Sequence, residues 1–125
     1  MVNIHQRLHQ KGFQIFAFPC NQFFFCQESG SDEKIKDYAE SKFDVQFQMF
    51  SKVNVNGENT ADVYKFLRKH SPLWDEETQT MRKIPWNFTK FLVDHNGQVV
   101  AYFPPRQLPN ECVPRIEEIL ETNQE

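Results

Sequence analysis

Apolar and polar positions along the chain fall into short blocks, each with its own period. Ile4 and Leu8 share one helical face and Gly12 follows, so residues 2–11 read as the end of a helix closed by a left-handed residue. Residues 13–18 are almost wholly apolar, which predicts a strand buried on both faces in a mostly parallel sheet and ended by Pro19. A loop over 19–31 precedes a helix starting near Ser31 or Asp32, where Asp32 and Glu33 suit the positive end of the dipole. Its apolar stripe is Ile35, Tyr38, Ala39 and Phe43. An extended piece with Val53 and Val55 runs into Asn56-Gly57. Asn59 or Thr60 then caps a helix with Val63, Tyr64, Phe66 and Leu67 inward. Residues 71–85, with Pro72, Trp74 and Pro85, read as a polar connection. Residues 88–103 read as a hairpin around Asn96-Gly97, a two-residue turn signal. A last helix starts near Asn110, with Val113, Ile116, Ile119 and Leu120 at helical spacing and Pro114 placed in its first turn.

The 125 residues suit one domain without repeats or linkers, 1–125. Thirteen Phe against two Trp and three Tyr make the aromatic content unusual. A net charge of −3 gives no basic footprint for nucleic acid. No apolar run approaches the ~20 residues that span a bilayer, and the first residues do not form a secretory signal. Three cysteines, Cys20, Cys26 and Cys112, do not make a disulfide framework, so a reducing compartment such as the cytoplasm is expected.

Three stretches carry chemistry. They are Ala17-Phe18-Pro19-Cys20-Asn21-Gln22-Phe23, Gln27-Glu28-Ser29-Gly30-Ser31, and the run from Trp86-Asn87-Phe88 to Asp94. Together with Phe50-Ser51-Lys52-Val53-Asn54-Val55-Asn56-Gly57 and the Asn-Gly hairpin, they closely resemble the glutathione peroxidase family, from Val2 to Leu120. The element order independently suggests an α/β fold of the thioredoxin kind, by analogy alone. The resemblance implies that fold and a peroxidase that reduces hydrogen peroxide or organic and lipid hydroperoxides under oxidative stress. A thiol such as glutathione supplies the electrons, and neither cofactor nor metal is needed. It also implies a catalytic set of Gln27, Trp86 and Asn87.

The chemistry suits those residue types. A thiol or selenol attacks the peroxide O–O bond as its anion, and hydrogen bonds to the anion lower its pKa. The Gln27 amide and the Trp86 indole N–H are neutral donors that can point at such an anion. Asn87 can add a donor or steer a proton to the leaving hydroxide. The oxidised nucleophile is a sulfenic or selenenic acid, which two thiols return to the starting state by exchange. Taken singly, Gln27 reads as a surface residue, Trp86 as core and Asn87 as a turn residue; only the joint motif sets them apart.

The other candidates read as structural. Cys20, next to a buried strand, is expected to be an inert thiol, and Cys112 a plain helix residue. Cys26 lies in a loop that departs from the family pattern through Phe24-Phe25-Cys26, and a weaker reading makes it a substitute nucleophile. His5 and His9 are four apart on a polar face, read as solvated rather than metal-binding.

In the family the nucleophile sits upstream of the first helix, and none of the three cysteines matches that position. The chain is therefore expected to lack the first core strand, the start of the first helix and the nucleophile. Translation read from Met1, after a selenocysteine codon taken as stop, would explain it. Lost sheet pairing at about 1–3 kcal/mol per buried group would leave such a chain poorly folded or with a sticky edge. The alternative function is a catalytically inactive binding or assembly protein. Residues 37–43 carry no resolving cysteine, which favours glutathione or another small thiol over thioredoxin. The sequence implies no oligomeric state.

Overall fold

The computed structural model describes residues 1–20, 22, 31–43, 45–86 and 88–123, the side chain of residue 123 excepted. Two compact units are present, Met1–Val53 and Asn54–Glu125.

In the first unit, α1 (Val2–Leu8) buries Ile4 and Leu8 on one face, as their spacing requires. A single 3₁₀ turn, His9–Lys11, follows. Gly12 then sits at φ +103° with its N–H on the His9 carbonyl (3.1 Å), a left-handed stop that a Cβ would strain. β1 (Phe16–Ala17) pairs in parallel with β2 (Gln48–Met49), in register Phe16–Gln48 and Ala17–Met49. Bonds from Phe50 N–H to Ala17 O (2.8 Å) and from Val53 N–H to Pro19 O (3.0 Å) carry the association further.

The expected strand over 13–18, buried on both faces, shrinks to two residues, and Phe16 is 63 % exposed. A parallel strand reads as fully apolar only when it has a neighbour on each side and a layer on each face. Among the described strands β1 bonds to β2 alone. Phe50 covers the aromatics instead, edge-on to Phe16 (5.5 Å between ring centroids) and stacked on Phe18 (4.5 Å).

The crossover between β1 and β2 contains α2 (Asp32–Phe43). Ser31 Oγ accepts the Lys34 N–H (3.2 Å), as an N-cap does, and the Asp32 carboxylate accepts the Lys52 N–H (2.8 Å). Of the predicted stripe only Ile35 is buried. Tyr38 and Phe43 are exposed, packing on each other and under the Lys42 ammonium.

In the second unit, Asn54–Ala61 forms a tight loop. Gly57 lies at φ +88°, and its carbonyl accepts both the N–H and the hydroxyl of Thr60 (3.3 and 2.6 Å). That hydroxyl is thereby taken up inside the loop. The cap of α3 (Asp62–Lys69) is Ala61, which makes no side-chain capping bond, in place of the expected Asn59 or Thr60. α3 buries Leu67 and Arg68, whereas Val63 and Phe66 are exposed, which corrects the inward set.

Within 71–85 lies a small hairpin that the polar pattern did not signal, β3 (Trp74–Asp75) against β4 (Thr80–Met81). Asp75 Oδ1 closes its turn by accepting the N–H groups of Glu77 and Thr78. The predicted main hairpin forms from β5 (Lys90–Val93) and β6 (Val99–Phe103), antiparallel, with an irregularity at Leu92/Val93. Its turn has three residues, 95–97, rather than two. Asp94 N–H bonds Gln98 O (2.9 Å), Gly97 N–H bonds Asp94 O (3.1 Å), and Gly97 alone takes positive φ (+81°). A two-residue turn of the Asn-Gly type needs positive φ at both residues. The Asp94 carboxylate, accepting from Asn96 and Gln98 N–H (2.9 Å each), holds the longer turn.

α4 (Pro109–Asn123) closes the chain with Cys112, Val113 and Ile116 buried. Pro109 takes the first helical position, so Pro114 lies beyond the first turn, where a helix normally uses the missing N–H.

Candidate functional site

Of the three residues nominated from the sequence, Trp86 is described, while Gln27 and Asn87 lie outside the described residues, as does Cys26. Trp86 belongs to the second unit and is 47 % exposed, so it is not the core residue that a lone tryptophan suggests.

The backbone around it is held on both sides. Upstream, Asn56 spans 28 residues to bond both backbone groups of Ile84: Oδ1 accepts the Ile84 N–H (2.8 Å), and Nδ2 donates to the Ile84 carbonyl (3.0 Å). One carboxamide thus does what a strand neighbour would do, and Ile84 is buried. Arg68 secures the preceding stretch, donating to the carbonyls of Val55 (3.1 Å), Met81 (3.3 Å) and Arg82 (3.0 Å). This guanidinium is only 5 % exposed, and burial pushes its pKa down. Arg82 in turn donates to the Pro72 carbonyl.

Downstream, the Thr89 hydroxyl donates to the Trp86 carbonyl (2.8 Å) and the Lys90 ammonium to the Phe88 carbonyl (2.6 Å). Phe88 takes φ +62° and exposes its ring, 72 % accessible. A left-handed conformation costs an L-residue about 1–2 kcal/mol, and such strain gathers at functional turns. Here it swings the chain from Trp86 into β5 within four residues.

The described cysteines are structural. Cys20 is buried in the first unit; its Sγ accepts the Gln22 N–H (3.4 Å) and donates to Gln22 Oε1 (3.6 Å). Cys112 is 4 % exposed and donates to the Leu108 carbonyl (3.6 Å), and burial pushes its thiol up, against thiolate chemistry. Burial also lowers the neighbouring Lys90 ammonium.

His5 corrects the reading of a solvated histidine pair. It is buried, stacked on His9 (5.2 Å), edge-on to Phe47 (5.7 Å) and bonded through Nε2 to Gln14 Oε1 (3.3 Å). His9 Nδ1 donates to the His5 carbonyl (3.0 Å), so the pair is tied into its own helix. Among the described residues no group of three or more His, Cys, Asp or Glu side chains is placed to hold a metal ion, and no helix is long and apolar enough to cross a membrane.

Asn56 and Arg68 are the site-supporting residues that sequence reading missed. Asn56 looked like half of a turn, and hydropathy gives no sign that an arginine faces inward.

The glutathione peroxidase family model matches residues 1–68. A glutathione peroxidase of Schistosoma mansoni is 45 % identical over 120 residues, covering 94 % of this chain and 66 % of that protein. A chloroplastic phospholipid hydroperoxide glutathione peroxidase of Pisum sativum is 42 % identical over 118 residues, covering 94 % and 48 %. The Bacillus subtilis glutathione peroxidase homolog BsaA is 38 % identical over 118 residues, covering 94 % and 71 %. Among solved structures, that of Trgpx in apo form superposes with a TM-score of 0.71 at 26 % identity, covering 96 % of this chain and 67 % of the other. That of T. cruzi GPX1 gives 0.66 at 27 %, covering 96 % and 68 %. The chain belongs to the glutathione peroxidase family, and its fold is the thioredoxin-like α/β fold. It spans about half the length of the pea relative and 66 % of the schistosome one.

Proposed function

We propose that the protein is a thiol peroxidase that reduces hydrogen peroxide or organic and lipid hydroperoxides with glutathione or a similar small thiol in a reducing compartment. The observation that carries this reading is the Trp86 segment. Side-chain-to-backbone bonds hold the segment that carries this half-exposed indole on both sides, within the stretch that resembles the family's motif. The family resemblance assigns Gln27, Trp86 and Asn87 the task of donating N–H groups to a sulfur or selenium anion before it attacks the peroxide. The electron pair goes to the O–O bond, one oxygen stays on the chalcogen, and the other leaves as hydroxide and takes a proton. The first thiol displaces water and the second completes a disulfide. Neither Cys20 nor Cys112 fits the nucleophile, because both are buried donors to neighbouring oxygens. Neither described cysteine supplies the chalcogen, and Cys26 lies outside the described residues. The test is peroxide-dependent glutathione oxidation by protein expressed from its own genomic locus, which keeps any upstream segment. Turnover that falls on the order of a hundredfold in Trp86→Phe supports the reading. Turnover indifferent to Gln27, Trp86 and Asn87 rejects it.

A further inference from the structure

We infer that Asn56 is a positioning residue for the indole of Trp86. The inference rests on the proposed role of Trp86 and deepens it. An indole that is half exposed gets less of its placement from core packing than a buried one, so the backbone that carries it contributes more to that placement. The nearest fixed point upstream is Ile84. Its N–H and carbonyl both close on the Asn56 carboxamide (2.8 and 3.0 Å), and its side chain is buried. Only Pro85 separates it from Trp86, and a proline ring locks its own φ and restricts the residue before it to extended conformations. Fixing Ile84 therefore narrows the paths open to the Trp86 backbone, leaving the Pro85 ψ as the principal free torsion of the link.

Asn56 is itself immobilised. It precedes Gly57 in the loop locked by Thr60, and the next bond along joins Ala61 N–H to Asn54 O (2.8 Å). The Arg68 guanidinium spans both strands of this arrangement, reaching Val55 on the Asn56 side and Met81 and Arg82 on the Trp86 side. The pair thus forms a two-point clasp: Arg68 sets the spacing of the two segments and Asn56 sets the register.

The test labels the protein with 5-fluorotryptophan and follows the ¹⁹F resonances of Trp74 and Trp86, assigned with Trp74→Phe and Trp86→Phe. Asn56→Ala is expected to shift or broaden the Trp86 line and leave the Trp74 line in place. Asn56→Asp, which keeps the acceptor but sets a carboxylate oxygen against the Ile84 carbonyl, should give a change of the same kind. Arg68→Met should move both lines, since Met81 pairs with Trp74. An unchanged Trp86 line in both Asn56 variants overturns the inference. So does joint collapse of both lines in both variants, which would make Asn56 a general fold determinant. Peroxide turnover separates the two levels. If Asn56→Ala moves the Trp86 line while Trp86→Phe turns over peroxide like the parent, the clasp stands and the functional reading falls. If both readings hold, Asn56→Ala lowers kcat by about tenfold to a hundredfold, the usual consequence of a small misplacement.

Discussion

Arg68 shows how much a single inward cation can organise. Its three carbonyl partners lie on two segments 26 and 27 positions apart in sequence, Val55 on one side and Met81 and Arg82 on the other. Replacing it by Met keeps much of the volume but strands three carbonyl oxygens. Each charge-assisted bond is worth about 1.5–3 kcal/mol and the losses are not fully additive, so Arg68→Met should destabilise the second unit by about 2–4 kcal/mol. Urea titration followed by Trp74 emission measures it; a loss below 1 kcal/mol contradicts the role. Cys112 makes the opposite case, a potentially reactive atom kept inert. Buried and with its pKa raised by burial, it should resist alkylation near neutral pH until the protein unfolds, which peptide mapping after iodoacetamide treatment reads directly. At this scale the sequence singled out Trp86 by its motif alone. It was silent on Asn56, because the partner that gives that amide its meaning lies 28 residues away.

Elements announced themselves in the sequence when their cause was local. α1 ends at Gly12 because a left-handed residue was needed there, and α2 begins at Asp32 because Ser31 caps it. The strands β5 and β6 follow from their apolar runs and the turn residues between them. Elements whose form depends on neighbours were misread. The run 13–18 promised a long buried strand and yields Phe16–Ala17, because burial needs flanking strands that periodicity cannot supply. The β3–β4 hairpin went unseen because two-residue strands carry no measurable alternation. Two substitutions test the local causes. Gly97→Ala forces a Cβ into φ +81°, with open space around it, so only the backbone penalty of about 1–2 kcal/mol should appear in thermal unfolding. Pro114→Ala, at an exposed interior position of α4, should stabilise the helix by about 1–3 kcal/mol by restoring an N–H donor. A loss of stability would show that the proline is needed for packing.

For the molecule as a whole, the burial of titrating groups sets a pH dependence. Cys112 and Tyr102 have pKa values raised by burial, so both favour the protonated folded state. Their contributions are complete below their unfolded pKa values and disappear as pH climbs through the folded ones, above about pH 9. Lys90, lowered by burial, loses its proton earlier in the folded state and opposes the decline over the same range. The loss of the Cys112 and Tyr102 contributions lowers urea resistance above about pH 9, and Cys112→Ala should make that fall shallower. The family relationship was readable across the length of the chain because Trp86-Asn87-Phe88 and the segment from Ala17 to Phe23 are distinctive as words, whatever their surroundings. The account's central claim is that Trp86 helps to stabilise a reacting chalcogen anion, and steady-state kinetics of hydroperoxide reduction test it most directly. In protein expressed from its own locus, Trp86→Phe should lower kcat/KM for hydrogen peroxide on the order of a hundredfold, with the fold intact. A Trp86→Phe protein that reduces peroxide as fast as its parent contradicts the account.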